Sequence, residues 1–236
     1  MLPSRGTPDH RHFPHDGNSH RWTMSAPPTF TPAFRKDLLD LLTWRRDVRR
    51  FKRTALPVGL IEHLIAIACL SPSVGLSEPW RFVFVDDAVR RAAIRANFEA
   101  SNAEALAAQS GDRSATYARL KLAGLDDAPV HLAIFADRAT NQGHGLGRRT
   151  MPEMVEYSVV AAVQTLWLAA RAEGVGLGWV SILDPAAVAV ALDIPGAWKF
   201  IGYFCIGYPE AEDDRPALER EGWEQRMSDP GRVLRR

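Results

Sequence analysis

Only two cysteines occur in the 236 residues, Cys69 and Cys205, and each sits in an apolar run. Two buried thiols supply neither a disulfide framework nor a cysteine-based zinc site, and they suit a reducing cytoplasm. No stretch approaches the ~20 apolar residues of a membrane-spanning helix, and the N-terminus lacks the apolar core of a secretion signal. A soluble, cytoplasmic protein with no membrane partner is expected. Charge of one sign is also missing: 29 basic against 28 acidic residues leave +1, so nothing draws the whole chain to nucleic acid. No nucleophile elbow, P-loop or HExxH is present. His10, His12, His15 and His20 have no metal-site spacing, so no metal is expected.

What the chain does have is one dense basic stretch, residues 44–53, in which Arg45, Arg46, Arg49, Arg50, Lys52 and Arg53 surround the single acid Asp47. The ordinary reading of a basic cluster is a solvated face or a nucleic-acid patch. Asp47 argues against both, because an acid among the cations weakens a plain polyanion site. Such density costs self-repulsion unless an anion or solvent relieves it. Arginine offers a planar fork suited to a phosphate or a flavin-like carbonyl edge.

Residues 1–30 are rich in Pro, His, Ser and Gly without hydrophobic period, which predicts a disordered N-terminal extension ahead of one domain over 31–236. Met24 is the candidate true start. Helical periodicity begins at Pro32 and leads into the basic stretch. A second helix is expected over Val58–Leu70 and a strand over Arg81–Asp86. Ala88–Leu122 reads as helix interrupted by the polar residues 109–113, a composition that fits a mobile lid or an ordinary surface loop equally. Buried strands are expected at Pro129–Ala136 and Phe200–Tyr208, a glycine-studded strand at Gly174–Ile182, and helices at Val155–Arg171 and Pro185–Leu192. The charged tail from Glu210 suits an arm. Interleaved helices and strands indicate an α/β or α+β domain.

Gly174-x-Gly-x-Gly178 is not a dinucleotide fingerprint, since its spacing is GxGxG and it enters a strand. Glycine there marks close backbone approach to something flat. Ser73, in a turn after a helix, is a hydroxyl donor to a ligand or, more commonly, a turn cap. His63 and His131 lie in apolar segments and read as core or rim residues. Asp47 and Ser181 are the one acid and the one hydroxyl beside ligand-shaped segments, and composition does not pair them.

Four pieces in order, Arg45-Arg-Asp-Val-Arg49, Ser71-Pro-Ser-Val-Gly-x-x-x-Pro-Trp-x-Phe82, Gly174-x-Gly-x-Gly-Trp-Val-Ser181 and Leu192-Asp-Ile-Pro195 with Ile206-Gly-Tyr-Pro209, resemble the nitroreductase-like flavoprotein superfamily over about residues 35–212. Within it the chain is most similar to the BluB-type 5,6-dimethylbenzimidazole synthases. General nitroreductases usually carry Ser or Thr in place of Asp47 and Asn in place of Leu76. Glu78 departs from the usual Gln, which bears on that loop's hydrogen bonds.

The resemblance implies an α+β fold with a mostly antiparallel sheet flanked by helices, in an interlocked homodimer with flavin sites at the subunit interface. It implies that reduced FMN is consumed as substrate with O2, and that NAD(P)H is the indirect reductant through a separate flavin reductase. FMN-binding residues would be Arg45, Arg46, Asp47, Val48, Arg49, Ser73, Leu120 and Ser181. The three arginines would grip the phosphate and the pyrimidine edge, and Ser73 would add a polar contact. Leu120 would lie where a lid over residues 95–120 meets the flavin. Asp47 and Ser181 would be catalytic, as base and as the hydroxyl that orients the reacting oxygen or relays a proton. Neighbouring arginines are expected to depress the Asp47 pKa. A rival with the same fold is an FMN-retaining NAD(P)H nitroreductase or dehalogenase. A flavin-storage protein rests on the arginine cluster alone.

Overall fold

The computed structural model describes residues 27–108, 124–227 and 233–236, and the fold below is that of the unit Thr31–Arg236. The expectations of N-terminal disorder over residues 1–26, of a start at Met24 and of a role for Leu120 fall outside the described residues. In chain order the elements are α1 (Pro32–Trp44), α2 (Leu60–Ala68), β1 (Trp80–Phe84), α3 (Ala88–Ala107), α4 (Gly124–Asp127) and β2 (Val130–Asp137). They continue with α5 (Met154–Ala172), β3 (Gly176–Val180), α6 (Pro185–Ala191), β4 (Trp198–Gly207) and α7 (Ala217–Arg220).

Local chemistry sets the helix boundaries. Thr31 caps α1 by accepting the Phe34 N–H at 3.1 Å, with Pro32 in the first turn, where its missing N–H costs nothing. The second helix starts at Leu60 and not at the expected Val58, because Gly59 takes a left-handed φ of 81° before it. Asp184 caps α6 by accepting the Ala186 N–H at 2.8 Å. Asn97 of α3 clamps that cap from both sides, donating to the Asp184 carbonyl at 3.0 Å and accepting its N–H at 2.8 Å. The end of β3 and the start of α6 are thereby tied to α3.

The four strands form one sheet in the order β1-β2-β4-β3, and every pairing is antiparallel. An α+β architecture with flanking helices results, as the resemblance implied. The second strand reads as an uninterrupted apolar run because both of its faces are covered. Leu132, Ile134 and Ala136 join the core beneath α2 and α5. Ala133 and Phe135 point the other way, into the core with Ile94 of α3 and Val188 of α6. Each fully buried Leu, Ile or Phe stabilises the fold by about 1.5–3 kcal/mol. The fifth helix buries Val159, Ala162, Val163, Leu166 and Ala170 against the sheet, yet leaves Tyr157 and Val160 exposed. On α1 nothing is buried, and Phe34, Leu38, Leu39 and Leu42 face outward. No described helix is long and apolar enough to cross a membrane.

Candidate active site

The basic stretch leaves α1 and lies along β3 as an extra partial strand. Val48 N–H donates to the Leu177 carbonyl at 2.9 Å, and Lys52 N–H to the Tyr208 carbonyl at 2.8 Å. Isolated bridges join Asp47 to Leu177 in parallel and Phe51 to Pro209 in antiparallel sense. The two β3 glycines explain how the segment comes so near. A Cβ on Gly176 would sit 2.6 Å from Val48 Cγ2, and one on Gly178 would collide with the Val48 carbonyl. The flat object expected against the glycine-rich strand is therefore the chain's own basic segment.

That seating fixes Asp47. Its Oδ1 accepts the Trp179 N–H at 2.9 Å, and its Oδ2 stands 4.0 Å from Arg49 Nε. The expected depression of its pKa is corrected. Burial pushes the Asp47 carboxyl above its ordinary value, and this outweighs the Trp179 N–H, Arg49 and Arg45, all of which pull it down. The arginines were counted in the sequence, but the partial enclosure of the carboxylate, whose side chain stays 39% exposed, was not visible there. A raised pKa makes the carboxylate a better proton acceptor.

The three candidate arginines divide by what they already hold. Arg49 Nε is buried without a hydrogen-bond partner among the described residues. The Arg45 guanidinium stands over an aromatic ring, which leaves its in-plane N–H fork facing elsewhere. Arg46 is spent on carbonyls: it donates to Asp213 at 3.2 Å, to its neighbour Arg45 at 2.5 Å, and to Thr43 and Asp214. It clasps residues 213–214 to the end of α1. Arg171 Nη1 donates to both carboxylate oxygens of Glu212, at 2.7 and 2.6 Å, and a cavity of about 270 Å³ lies between the basic segment and this strap.

The remaining candidates are spread out. Val48 is the residue whose backbone pairs with β3. Ser181 is exposed just past the end of β3, two residues beyond Trp179 and so roughly 7 Å along an extended chain from the amide that holds Asp47. Asp47 and Ser181, unpaired by composition, share one strand end. Ser73 Oγ accepts the Glu78 N–H at 3.1 Å, the turn-capping role that its sequence context favoured. Glu78, the departure from the family pattern, accepts from Gln142 Nε2 at 3.1 Å, and the same amide donates to the Leu76 carbonyl at 2.9 Å. His131 is buried and bonded to the Tyr203 hydroxyl at 2.8 Å, and burial lowers its pKa to about 4, so it is a neutral core residue.

A family model described as the nitroreductase family matches residues 42–208. The chain belongs to the nitroreductase family. A Rhodospirillum rubrum protein named 5,6-dimethylbenzimidazole synthase is 54% identical over 90% of this chain and 100% of its own length. A Rhodobacter capsulatus protein of the same name is 46% identical over 84% of this chain and 96% of its own. Among solved structures, iodotyrosine deiodinase bound to FMN and 3-iodo-L-tyrosine superposes with a TM-score of 0.63 at 24% identity, covering 75% of this chain and 91% of that one.

The residues of this nitroreductase-family chain suit an anionic, planar ligand such as FMN. Arg49 Nε, buried without a hydrogen-bond partner among the described residues, and the Arg45 guanidinium stacked on Trp167 are the donors that a phosphate or a carbonyl edge takes up. Sequence reasoning missed Trp167 beneath the segment, the Trp179 amide on Asp47 and the strap at 212–214. Glycines at 176 and 178 were the only signal for the first contacts. Nothing local marks the strap, which meets Arg46 from 167 residues away.

Proposed function

We propose that the chain is a 5,6-dimethylbenzimidazole synthase, which fragments reduced FMN with O2 to give the lower ligand base of cobalamin. The observation that carries this reading is the 54% identity along the entire Rhodospirillum rubrum synthase. The site chemistry supports it. FMN supplies an electron-rich ring system that reacts with O2, and it is consumed as substrate. Arg45 and Arg49 bind the phosphate and the pyrimidine edge through charge-assisted hydrogen bonds, with Val48, Ser73 and Leu120 as the further FMN contacts, while Arg46, expected among them, serves the site by holding residues 213–214 in place.

Asp47 is the base. The Trp179 N–H orients one carboxylate oxygen, and the other stands 4.0 Å from Arg49 Nε, beside the donor assigned to FMN. Its raised pKa brings proton affinity closer to neutral pH, where a general base works best. Ser181 orients the reacting oxygen or relays a proton from the same strand end. Of the lid expected over residues 95–120, residues 95–107 belong to α3 and residues 109–120 lie outside the described residues.

The exposed apolar faces of α1 and of α5, with Leu39 at 62% and Tyr157 at 54% exposure, support a homodimer that covers them. Both cysteines are free thiols, in keeping with a cytoplasmic protein. NAD(P)H reduces FMN through a separate flavin reductase. One domain spans 31–236, after an N-terminal extension over 1–30.

The test is to load the protein anaerobically with reduced FMN, admit air and analyse the small products by mass. Appearance of 5,6-dimethylbenzimidazole, at no more than one per flavin lost, is expected. Recovery of intact FMN would instead favour an FMN-retaining NAD(P)H nitroreductase or dehalogenase. That second reading draws on the 28% identity over 81% of the chain to mouse iodotyrosine deiodinase 1.

A further inference from the structure

Trp167 of α5 is only 7% exposed, and both faces of its chemistry are turned on the basic segment. Its indole Nε1–H donates to the Arg46 carbonyl at 3.0 Å. The Arg45 guanidinium stands 5.0 Å from its ring centroid. Trp179 tilts against the same indole with centroids 6.2 Å apart, and the Trp179 backbone N–H holds Asp47. Three successive residues are fixed from one place in the core: 45 by the ring, 46 by its carbonyl, and 47 through the neighbouring tryptophan.

Packing alone does not require this. Trp179 leaves its own Nε1 buried and unpartnered among the described residues, whereas Trp167 commits its donor to the basic segment. Phenylalanine would supply the ring without the donor, and leucine neither. A guanidinium stacked on an aromatic face keeps its in-plane N–H groups free for a second partner. Arg45 lies beside Arg46 in sequence, and their like charges repel. An unsupported Arg45 would swing into solvent and have to be ordered again when a ligand binds, which costs roughly twofold to tenfold in affinity per long side chain.

We propose that Trp167 is a positioning residue that holds the Arg45 guanidinium and the Arg46 carbonyl in their ligand-ready arrangement before a phosphate-bearing flavin arrives. This rests on the FMN reading above. The experiment is calorimetric titration of the full chain with FMN, in wild type, Trp167→Phe, Trp167→Leu, Arg45→Ala and the Trp167→Leu/Arg45→Ala double variant. Thermal midpoints are recorded alongside.

Trp167→Phe should bind FMN about fivefold more weakly, the factor carried by one neutral hydrogen bond. Trp167→Leu, which also loses the stacking, should lose about tenfold or more. In the Arg45→Ala background the penalty of Trp167→Leu should shrink toward that of Trp167→Phe, because no guanidinium remains to be held. The kinetic effect should fall on KM for reduced FMN, with kcat retained at saturation. A Trp167→Leu protein that binds FMN as tightly as wild type, or whose penalty is the same with and without Arg45, overturns the proposal and leaves Trp167 as packing. If Trp167→Leu does not fold, Trp167→Phe decides alone, and wild-type affinity overturns the proposal. Wild type that does not bind FMN at all defeats the flavin reading itself, and the positioning role with it.

Discussion

Gly178→Ala should dislodge the basic segment while leaving the sheet intact. The added methyl would run into the Val48 carbonyl, and strand β3 is paired to β4 on its other edge, so the segment is the part that must yield. Moving it lengthens or breaks the Val48 N–H bond to Leu177 at 2.9 Å and the Trp179 N–H bond to Asp47, also 2.9 Å. Overpacking of this kind costs about 1–3 kcal/mol, and each lost hydrogen bond adds about 1 kcal/mol. A total of about 3–5 kcal/mol lowers the melting midpoint by roughly 6–20 °C for a domain of this size. Gly196→Ala is the control, since its Cβ would meet nothing within 4 Å at an ordinary φ. Circular-dichroism melts and FMN titrations of both variants check the expectation. A Gly178→Ala protein that melts within about 2 °C of wild type and binds FMN normally would mean that the Val48 segment is not held against Gly178.

Asp47→Asn keeps an oxygen for the Trp179 N–H but removes a carboxylate whose burial raises its pKa. A folded-state pKa above the unfolded value of about 3.8 means that ionisation opposes folding, so stability is lost as pH rises through the unfolded and then the folded pKa. The ligand-free variant should therefore match wild type near pH 3.5 and melt higher at pH 7, while benzimidazole formation falls by about 100-fold or more; a lower melt at pH 7 would show that the arginine field outweighs burial. Arg49→Ala should weaken FMN binding by at least about tenfold, as loss of a charged hydrogen bond does, with little change in the ligand-free melt. Arg46→Ala should instead lower the melt and open residues 210–215 to limited proteolysis, and the reverse assignment of the two phenotypes would refute the clasp. His131, with its pKa lowered to about 4 against 6.5 unfolded, should show no imidazole protonation by NMR between pH 7.5 and 5.5, and the fold should lose stability as pH falls from 6.5 toward 4. Half-titration near 6.5 would contradict its burial.

The sequence made the elements legible wherever one local cause decides them. The β2 run is apolar on both faces because helices cover both, and Asp184 with Pro185 announces the start of α6. Helix ends slipped by two residues at α2, where Gly59 turns left-handed instead of continuing the apolar period. Strand order was not legible, since β4 inserts between β2 and β3 and only the folded register shows it. At the site, Asp47 and the arginines stood out by charge density. Which arginine is free and which is a clasp depends on Asp213 and Asp214, distant in sequence and unremarkable in type. The direction of the Asp47 pKa was misjudged for a related reason. Charge can be counted along a chain, whereas desolvation belongs to the folded surroundings.

Labelled flavin separates FMN consumed as substrate from FMN retained as cofactor. Reduced FMN carrying carbon-13 in its dimethylbenzene ring is bound without oxygen, air is admitted, and the small molecules are resolved by mass. A flavin that is consumed yields labelled 5,6-dimethylbenzimidazole, no more than one molecule for each flavin lost. Labelled FMN recovered whole, with O2 reduced and no benzimidazole, would contradict it.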